Sequence, residues 1–464
     1  MTDTADAPAH PMMSGPYEPV RDELDVADLT VHGEIPEALH GSYLRNGGNP
    51  AFPPLGRFHI FDGDGMIHAM TFENGRARYR NRWVESKGLV AERKAGHAIF
   101  GGLMEFVMPD QEIIDTVGVM KNTANTNVIS HAGQILALME GAKPTQLAPD
   151  LSTIGEIDFD GKLEGPMTAH PRVDPDSGEM HLFGYSPFPP YLRYSMVDAH
   201  GVLTRSVEID IPKPVMMHDF VITENFAIFF DLPAVFDLDA AITGEPAITW
   251  QPEQGARIGV LPLDGEKGDV RWAEIEPCYV FHFVNAWEED GAIVVDGCRS
   301  SRLMANFGDE PLTEPCPPSL HRWRIDGGSA TVEQLDDRTV DFPRTADSVV
   351  GRPNRFGYVA EGAFGPEIAN FDRVVKYDLT TGSTTTHHYG EHASSGEAVF
   401  AADPDGSAED DGWLLNFSTD LTTDQSEFVI LDARDIEAGP VARIDLPRRV
   451  PFGFHGNWMP DVIG

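Results

Sequence analysis

Pro451-Phe-Gly-Phe-His-Gly-Asn-Trp458 sets one histidine between an aromatic residue and a glycine, close to the end of the sequence. Nothing in the local pattern asks for an imidazole there. Three other stretches share that property: His170 in Met167-Thr-Ala-His-Pro171, His218 in Met216-Met-His-Asp-Phe220, and His282 in Tyr279-Val-Phe-His-Phe283. Each is a lone histidine among apolar, aromatic or small residues, and each adjoins a segment that reads as a strand. The reading that joins them is a single metal ion held by four imidazoles, with a fold built to bring them together. A histidine isolated in an apolar strand is also what a hydrogen-bonded core residue looks like.

Working outward, the separations along the chain are 48, 64 and 173 residues, the last close to three times about 58. A unit of roughly 50–65 residues fits an elaborated four-stranded propeller blade. The innermost strands of a propeller converge on one axis, so histidines from several blades can meet at a central ion. A two-domain β-sandwich, the rival fold, has no natural axis for four distant ligands.

The rest of the chain agrees with an all-β fold. Glu179–Tyr185, Asn225–Asp231, Gly291–Asp296, Gly412–Ser418 and Ser426–Asp432 are short apolar runs bounded by turn residues, and read as strands. Arg373–Leu379, then Thr-Thr-Gly382, then Ser383–Tyr389 reads as a hairpin. Phe58–Met70 reads as another, with Asp62-Gly-Asp-Gly65 supplying positive φ for its turn. The 45 glycines and 36 prolines exceed the ordinary share of about 12%, which marks a turn-rich chain. Residues 1–15 are small, polar and proline-containing, and read as a mobile tail; residues 16–464 read as one propeller domain.

Charge limits the partners. With 34 Lys+Arg against 74 Asp+Glu the net charge is −40, which argues against nucleic acid and against attraction to an anionic membrane surface. A neutral, apolar small molecule and O2 remain compatible. Cys278, Cys298 and Cys316 form no CxxC pair, so a reducing compartment is the default. The first residues lack a secretory pattern, and no run of about 18 apolar residues exists to cross a membrane. The expected location is the cytoplasm.

Four neutral imidazoles suit Fe(II), Zn, Cu or Ni. They leave the ion's charge unneutralised, so carboxylates are expected behind them, each accepting the far N–H of a ligand histidine. Glu140 in Leu138-Met-Glu-Gly141 and Glu397 in Ser395-Gly-Glu-Ala398 have that character. His387 and His388 alternate faces on the hairpin, and no HExxH motif is present. The acidic run Asp403–Gly412 reads as a solvated loop.

Gly41-Ser-Tyr-Leu-Arg-Asn46, Phe61-Asp-Gly-Asp-Gly-Met66, Asn122-Thr-Ala-Asn-Thr126, His131-Ala-Gly133, Met217-His-Asp-Phe220 and Phe454-His-Gly-Asn-Trp458 follow one another in family order. Over nearly its whole length the chain resembles the carotenoid cleavage oxygenase family, whose bacterial branches include stilbene and phenylpropanoid alkene cleavers. The resemblance implies a seven-bladed β-propeller with the metal on its axis, capped by loops and short helices over the active-site face. It implies Fe(II) held by His170, His218, His282 and His455, with carboxylates behind them at Glu140, Glu397 and the residue before Phe-Pro-Arg. That residue is Asp341, where the family usually has Glu. One methylene less shortens the reach by about 1.5 Å. The backbone closes in, a water bridges, or the histidine is held less firmly, and Asp341→Glu is expected to be tolerated. Thr126 matches a threonine that crowds one open iron position in the family.

The implied reaction is cleavage of a C=C bond by O2 to two carbonyl products, on a site needing only iron. Ala98–Pro109 matches the family's apolar entrance, which can touch membranes around Ile99–Pro109; by itself the stretch could equally be core. Stilbene cleavers tend to have Lys before the first of these glutamates and Tyr where Leu103 aligns. Here Met139 precedes Glu140. Both differences favour a carotenoid or apocarotenoid. Thr123-Ala-Asn-Thr-Asn127 and Glu92-Arg-Lys-Ala-Gly96 resemble the phenolic branch, so a lignostilbene or isoeugenol-like alkene is the alternative. A non-catalytic polyene-binding protein is the alternative of another class.

Overall fold

The computed structural model describes residues 11–243, 246–303, 316–364 and 369–461. Its regular structure is almost all strand, in antiparallel sheets arranged like the blades of a propeller. The strands predicted from apolar runs lie at Met180–Tyr185, Phe226–Asp231, Ala292–Ser300, Gly412–Asp420 and Gln425–Asp432. The hairpin of Ala369–Asp378 with Ser383–His388 pairs Arg373 with His388 and Asp378 with Ser383. Its turn needs Gly382, whose φ is +73°. His387 points inward and is buried, while His388 is exposed, as alternation requires.

The sheets are not seven separate four-stranded blades. Asn127–Glu156, Arg172–Ile209 and Val340–His388 each contain one four-stranded sheet. Between Val221 and Gln334 lies a single eight-stranded sheet, made of two four-stranded meanders that meet at one parallel bridge, Glu274 to Ser329. Two further sheets are completed by the opposite end of the chain. Gly41–Arg45 pairs with Gly456–Met459, setting Arg45 opposite Gly456, and Val31–Gly33 pairs with Pro440–Asp445. A strand borrowed from the far terminus closes the ring and leaves fewer open edges.

One geometrical regularity positions the site. Seven of the eight expected site residues lie on or just before strands at sheet edges; Glu140 instead follows the inner strand Gln134–Leu138. Thr126 precedes Asn127–His131, His170 precedes Arg172–Val173, and His218 precedes Val221–Ile222. His282 lies in Tyr279–Glu289 and Asp341 in Val340–Arg344. Glu397 precedes Val399–Ala402, and His455 precedes Gly456–Met459. These edge strands pack on one another: Val221–Ile222 on Tyr279–Glu289, the two ends of the eight-stranded sheet, then that strand on Val340–Arg344, and Gly456–Met459 on both Val399–Ala402 and Asn127–His131.

Phe58–Met70 is not a hairpin. Ile60–Asp62 is a 3-10 turn and the strand begins at Met66. Gly63 has φ −65°, so positive φ is not its purpose. A Cβ on Gly63 would lie 2.8 Å from the Gly48 carbonyl carbon, and one on Gly65 2.3 Å from Ala124 O. These glycines allow backbones to touch. At the N-terminus, residues 1–10 lie outside the described residues. Gly15–Tyr17 is a 3-10 turn, and Tyr17 is buried, its hydroxyl donating to Ala369 O at 2.6 Å.

Candidate metal centre

The structure brings together His170, His218, His282 and His455, with one ring nitrogen of each within 4.8 Å of the others. Neighbouring Nε2 atoms are 3.0 Å apart for His170 and His218, 3.2 Å for His218 and His282, and 3.1 Å for His282 and His455. The rings of His170 stand at 61°, 65° and 83° to those of His218, His282 and His455, so the nitrogens converge without the rings stacking.

Local backbone features aim each ring. His170 N donates to Thr168 Oγ1 at 3.0 Å, while Asn127 Nδ2 donates to Ala169 O at 2.7 Å. His218 is followed by Asp219, which accepts from the backbone N–H of Phe220 and Phe283 and pairs with Arg172 at 2.7 Å. That carboxylate ties three edge strands at the level of the histidines. In Tyr279–Glu289 the register jumps between Val280 and Phe283, so Phe281 and His282 lie opposite a single partner residue. Such a bulge breaks the alternation of faces, and both side chains reach the central cavity. Val340–Arg344 has the same device: the register jumps after Asp341, Phe342 takes φ +53°, and both residues face the cavity. Phe342 then stacks on His282, ring centres 5.0 Å apart. His455 is held by its own N–H on Thr126 O, 3.1 Å, and by Asn46 N donating to its carbonyl, 2.9 Å.

Three carboxylates stand behind the rings. His218 Nδ1 is 2.6 Å from Glu140 Oε2, His282 Nδ1 is 2.8 Å from Asp341 Oδ1, and His455 Nδ1 is 3.1 Å from Glu397 Oε1. An ionised carboxylate only accepts, so each Nδ1 carries the hydrogen and each Nε2 lone pair is left facing the centre. Asp341 therefore reaches its histidine directly, with no bridging water needed.

Burial favours the neutral imidazole at His170 and His455. Burial, with the other three histidines close by, pushes the pKa of His170 well below its usual value. Burial lowers His455 to about 4 despite Glu397. For His218 burial is outweighed by Glu140, and the pKa is raised. Glu397 is buried, which alone would raise its pKa, but Arg344 and His455 hold it below the usual range.

A cavity of about 740 Å³ opens from the centre. His218, His282 and His455 reach its wall, together with Phe281, Phe342, Phe371, Phe452, Phe454 and Met139. Thr126 lines it too, its Oγ1 donating to Asn125 Oδ1 at 3.0 Å. Gly101, Gly102, Leu103 and Met104 form part of the wall, while Phe106 and Met108 of the same stretch are exposed. Ala98–Pro109 thus runs from cavity lining to surface. Tyr185, Phe342 and Arg344 belong to the same environment and were not singled out from the sequence. Tyr185 ends a predicted strand, and Phe342 and Arg344 lie within the Phe-Pro-Arg motif, yet none carried a signal of its own.

The family described as RPE65, retinal pigment epithelial membrane protein, matches residues 17–460. The carotenoid 9,10(9',10')-cleavage dioxygenase 1 of Arabidopsis thaliana is 37% identical, over 98% of this chain and 91% of that protein. The isoeugenol monooxygenase of Pseudomonas nitroreducens is 35% identical, over 97% of this chain and 98% of that protein. The crystal structure of Pseudomonas brassicacearum lignostilbene dioxygenase superposes with a TM-score of 0.92 at 30% identity, covering 98% of this chain and 100% of that one. The chain belongs to the RPE65/carotenoid cleavage oxygenase family.

Proposed function

We propose that this protein is a non-haem Fe(II) dioxygenase that cleaves one C=C bond of an apolar conjugated substrate, a carotenoid or apocarotenoid, with O2 to give two carbonyl products. The observation that carries the reading is the convergence of one ring nitrogen from each of four histidines beside a cavity walled by aromatic side chains. An all-imidazole donor set with carboxylates behind it fits Fe(II). Family membership favours the same chemistry.

In this reading His170, His218, His282 and His455 hold the ion, and Glu140, Asp341 and Glu397 orient their imidazoles. Fe(II) bound there would supply the electron density that activates O2. The protein's own part is positional. Phe281, Phe342 and Phe454 hold a flat conjugated chain against the centre, apolar walls keep water out, and Thr126 narrows the approach to one side of the ion.

Leu103 and Met139 in the cavity wall favour a long apolar polyene over a phenol, since neither offers a polar partner. The likeness to the isoeugenol monooxygenase and the lignostilbene dioxygenase favours a phenolic alkene as the second reading. We also read the eight-stranded sheet as two blades, which makes the propeller seven-bladed with one expected site residue at each inner edge. Residues 16–464 then form one domain. Among the described residues no helix is long and apolar enough to cross a membrane. Exposed Val90, Phe106, Met108, Val119 and Met120 cluster in sequence around the entrance stretch and suit transient contact with a membrane surface by a cytoplasmic protein.

The test supplies 18O2 to purified protein with apocarotenals or 4-hydroxystilbenes and weighs the aldehydes by mass spectrometry. Label in both products supports dioxygenation, and the active series identifies the substrate. Binding without any product supports a polyene carrier and overturns the enzyme.

A further inference from the structure

The three carboxylates behind the histidines are held in different ways. Glu397 accepts from Gly456 N at 2.9 Å and faces Arg344 at 3.7 Å. Asp341 accepts from Phe342 N at 2.9 Å. Each is thus fixed by backbone next to it. Glu140 has no backbone donor among the described residues. It lies in a turn after the strand Gln134–Leu138, where no sheet pairing holds it. Its Oε2 meets His218 Nδ1, and its Oε1 accepts from the Tyr185 hydroxyl at 2.6 Å. Its side chain is 17% exposed, against 6% for Asp341 and 3% for Glu397, so cavity water can compete for it.

We propose that Tyr185 is a positioning residue for the metal centre: its phenol fixes Glu140 so that Oε2 faces His218, and takes up part of the carboxylate's charge. The proposal rests on the ferrous reading of the four histidines. With Oε1 held by the phenol, the carboxylate cannot rotate, and Oε2 stays directed at His218 Nδ1. Tyr185 is suited to this. It ends the strand Met180–Tyr185 in the neighbouring sheet, where its ring packs against Phe236 at 5.8 Å and Phe183 at 6.4 Å. Burial and Glu140 together keep the phenol protonated, and therefore a donor. The tether thus runs from a rigid strand to a turn in which, among the described residues, no backbone N–H holds the Glu140 carboxylate. His218 is the histidine whose orientation depends on it.

The experiment compares wild type, Tyr185→Phe and Tyr194→Phe, each loaded without oxygen with Fe(II) or, separately, Co(II). Tyr185→Phe keeps the ring and its packing. Tyr194→Phe removes another buried phenol from the same sheet, one that bonds His181 at 2.7 Å away from the centre. Release of metal to a chelator is expected to be about tenfold or more faster in Tyr185→Phe, with shifted Co(II) d–d bands. Tyr194→Phe is expected to match wild type on both. With substrate, kcat falls in Tyr185→Phe while KM stays within about twofold, because the ring itself stays in the cavity wall. A Tyr185→Phe protein with wild-type release and wild-type Co(II) bands overturns the role of Tyr185 alone, as does equal loosening by Tyr194→Phe. Wild-type protein that takes up neither metal overturns the ferrous reading and this role with it.

Discussion

Asp341 Oδ1 lies 2.8 Å from His282 Nδ1 although aspartate is one methylene shorter than the glutamate usual in the family. The bulge after Asp341 brings the backbone in, with Phe342 at φ +53°, a conformation that a bulky side chain rarely adopts. The backbone lies close enough here for the shorter acid to reach the ring.

Asp341→Glu is therefore expected to harm the site, where the sequence suggested tolerance. Asp341 is 4% exposed and its carboxylate is bonded to both His282 Nδ1 and Phe342 N, so the extra methylene pushes one of those partners out of line, and overpacking of this kind costs about 1–3 kcal/mol. Elemental analysis should find less than half the wild-type iron. Full iron in Asp341→Glu would show that the bulge yields easily.

Gly453 controls the His455 loop. A Cβ there would lie 2.3 Å from Arg45 Nε and 2.8 Å from Arg45 Cδ. Arg45 is buried, donates to Pro451 O at 2.6 Å and lies over the Phe417 ring at 4.7 Å, so it cannot swing away. Gly453→Ala should shift the loop, lowering both iron content and thermal midpoint. A protein with unchanged iron and midpoint would contradict this.

Lys121 anchors the entrance. It pairs with Asp64 at 2.7 Å and Glu92 at 2.8 Å, and Glu92 accepts from the backbone N–H of Ile99 and Phe100. Lys121→Met would leave two buried carboxylates facing each other, a loss of about 3–5 kcal/mol. Limited proteolysis should then cut faster within residues 97–109. An unchanged cleavage pattern would contradict the anchoring role.

Stability should fall in mild acid. Burial lowers the pKa of His181 to about 4, from the ordinary 6.5. Between those values the unfolded chain binds a proton that the fold refuses. Stability is complete above pH 6.5 and is lost as pH falls towards 4, at about 1.4 kcal/mol per unit for one such group. His181→Gln removes the titration while keeping a partner for Tyr194. Its urea midpoint should fall less steeply between pH 6.5 and 4.5 than that of wild type. An equal slope would contradict the assignment.

Local rules carried much of this architecture. The hairpin at Thr380-Thr-Gly382 was legible because its turn and its alternation lie within one stretch. The four histidines stood out against apolar surroundings, and Glu140 and Glu397 against theirs. What escaped depends on partners distant in sequence. The bulges that aim His282 and Asp341 exist only relative to the neighbouring strand. Gly63 and Gly65 looked like turn formers, but their smallness serves contacts with Gly48 and Ala124. The merging of two meanders through Glu274 and Ser329 has no local signature. Tyr185 read as the last residue of a strand, because Glu140 is 45 residues away.

Iron K-edge absorption spectroscopy on the purified protein, with iron counted per chain, tests the central claim most directly. The account predicts about one ferrous ion per chain, with a first shell of four imidazole nitrogens that is lost in His282→Ala. Protein that takes up no iron when supplied with it, or a shell dominated by sulfur or carboxylate oxygen, would contradict it.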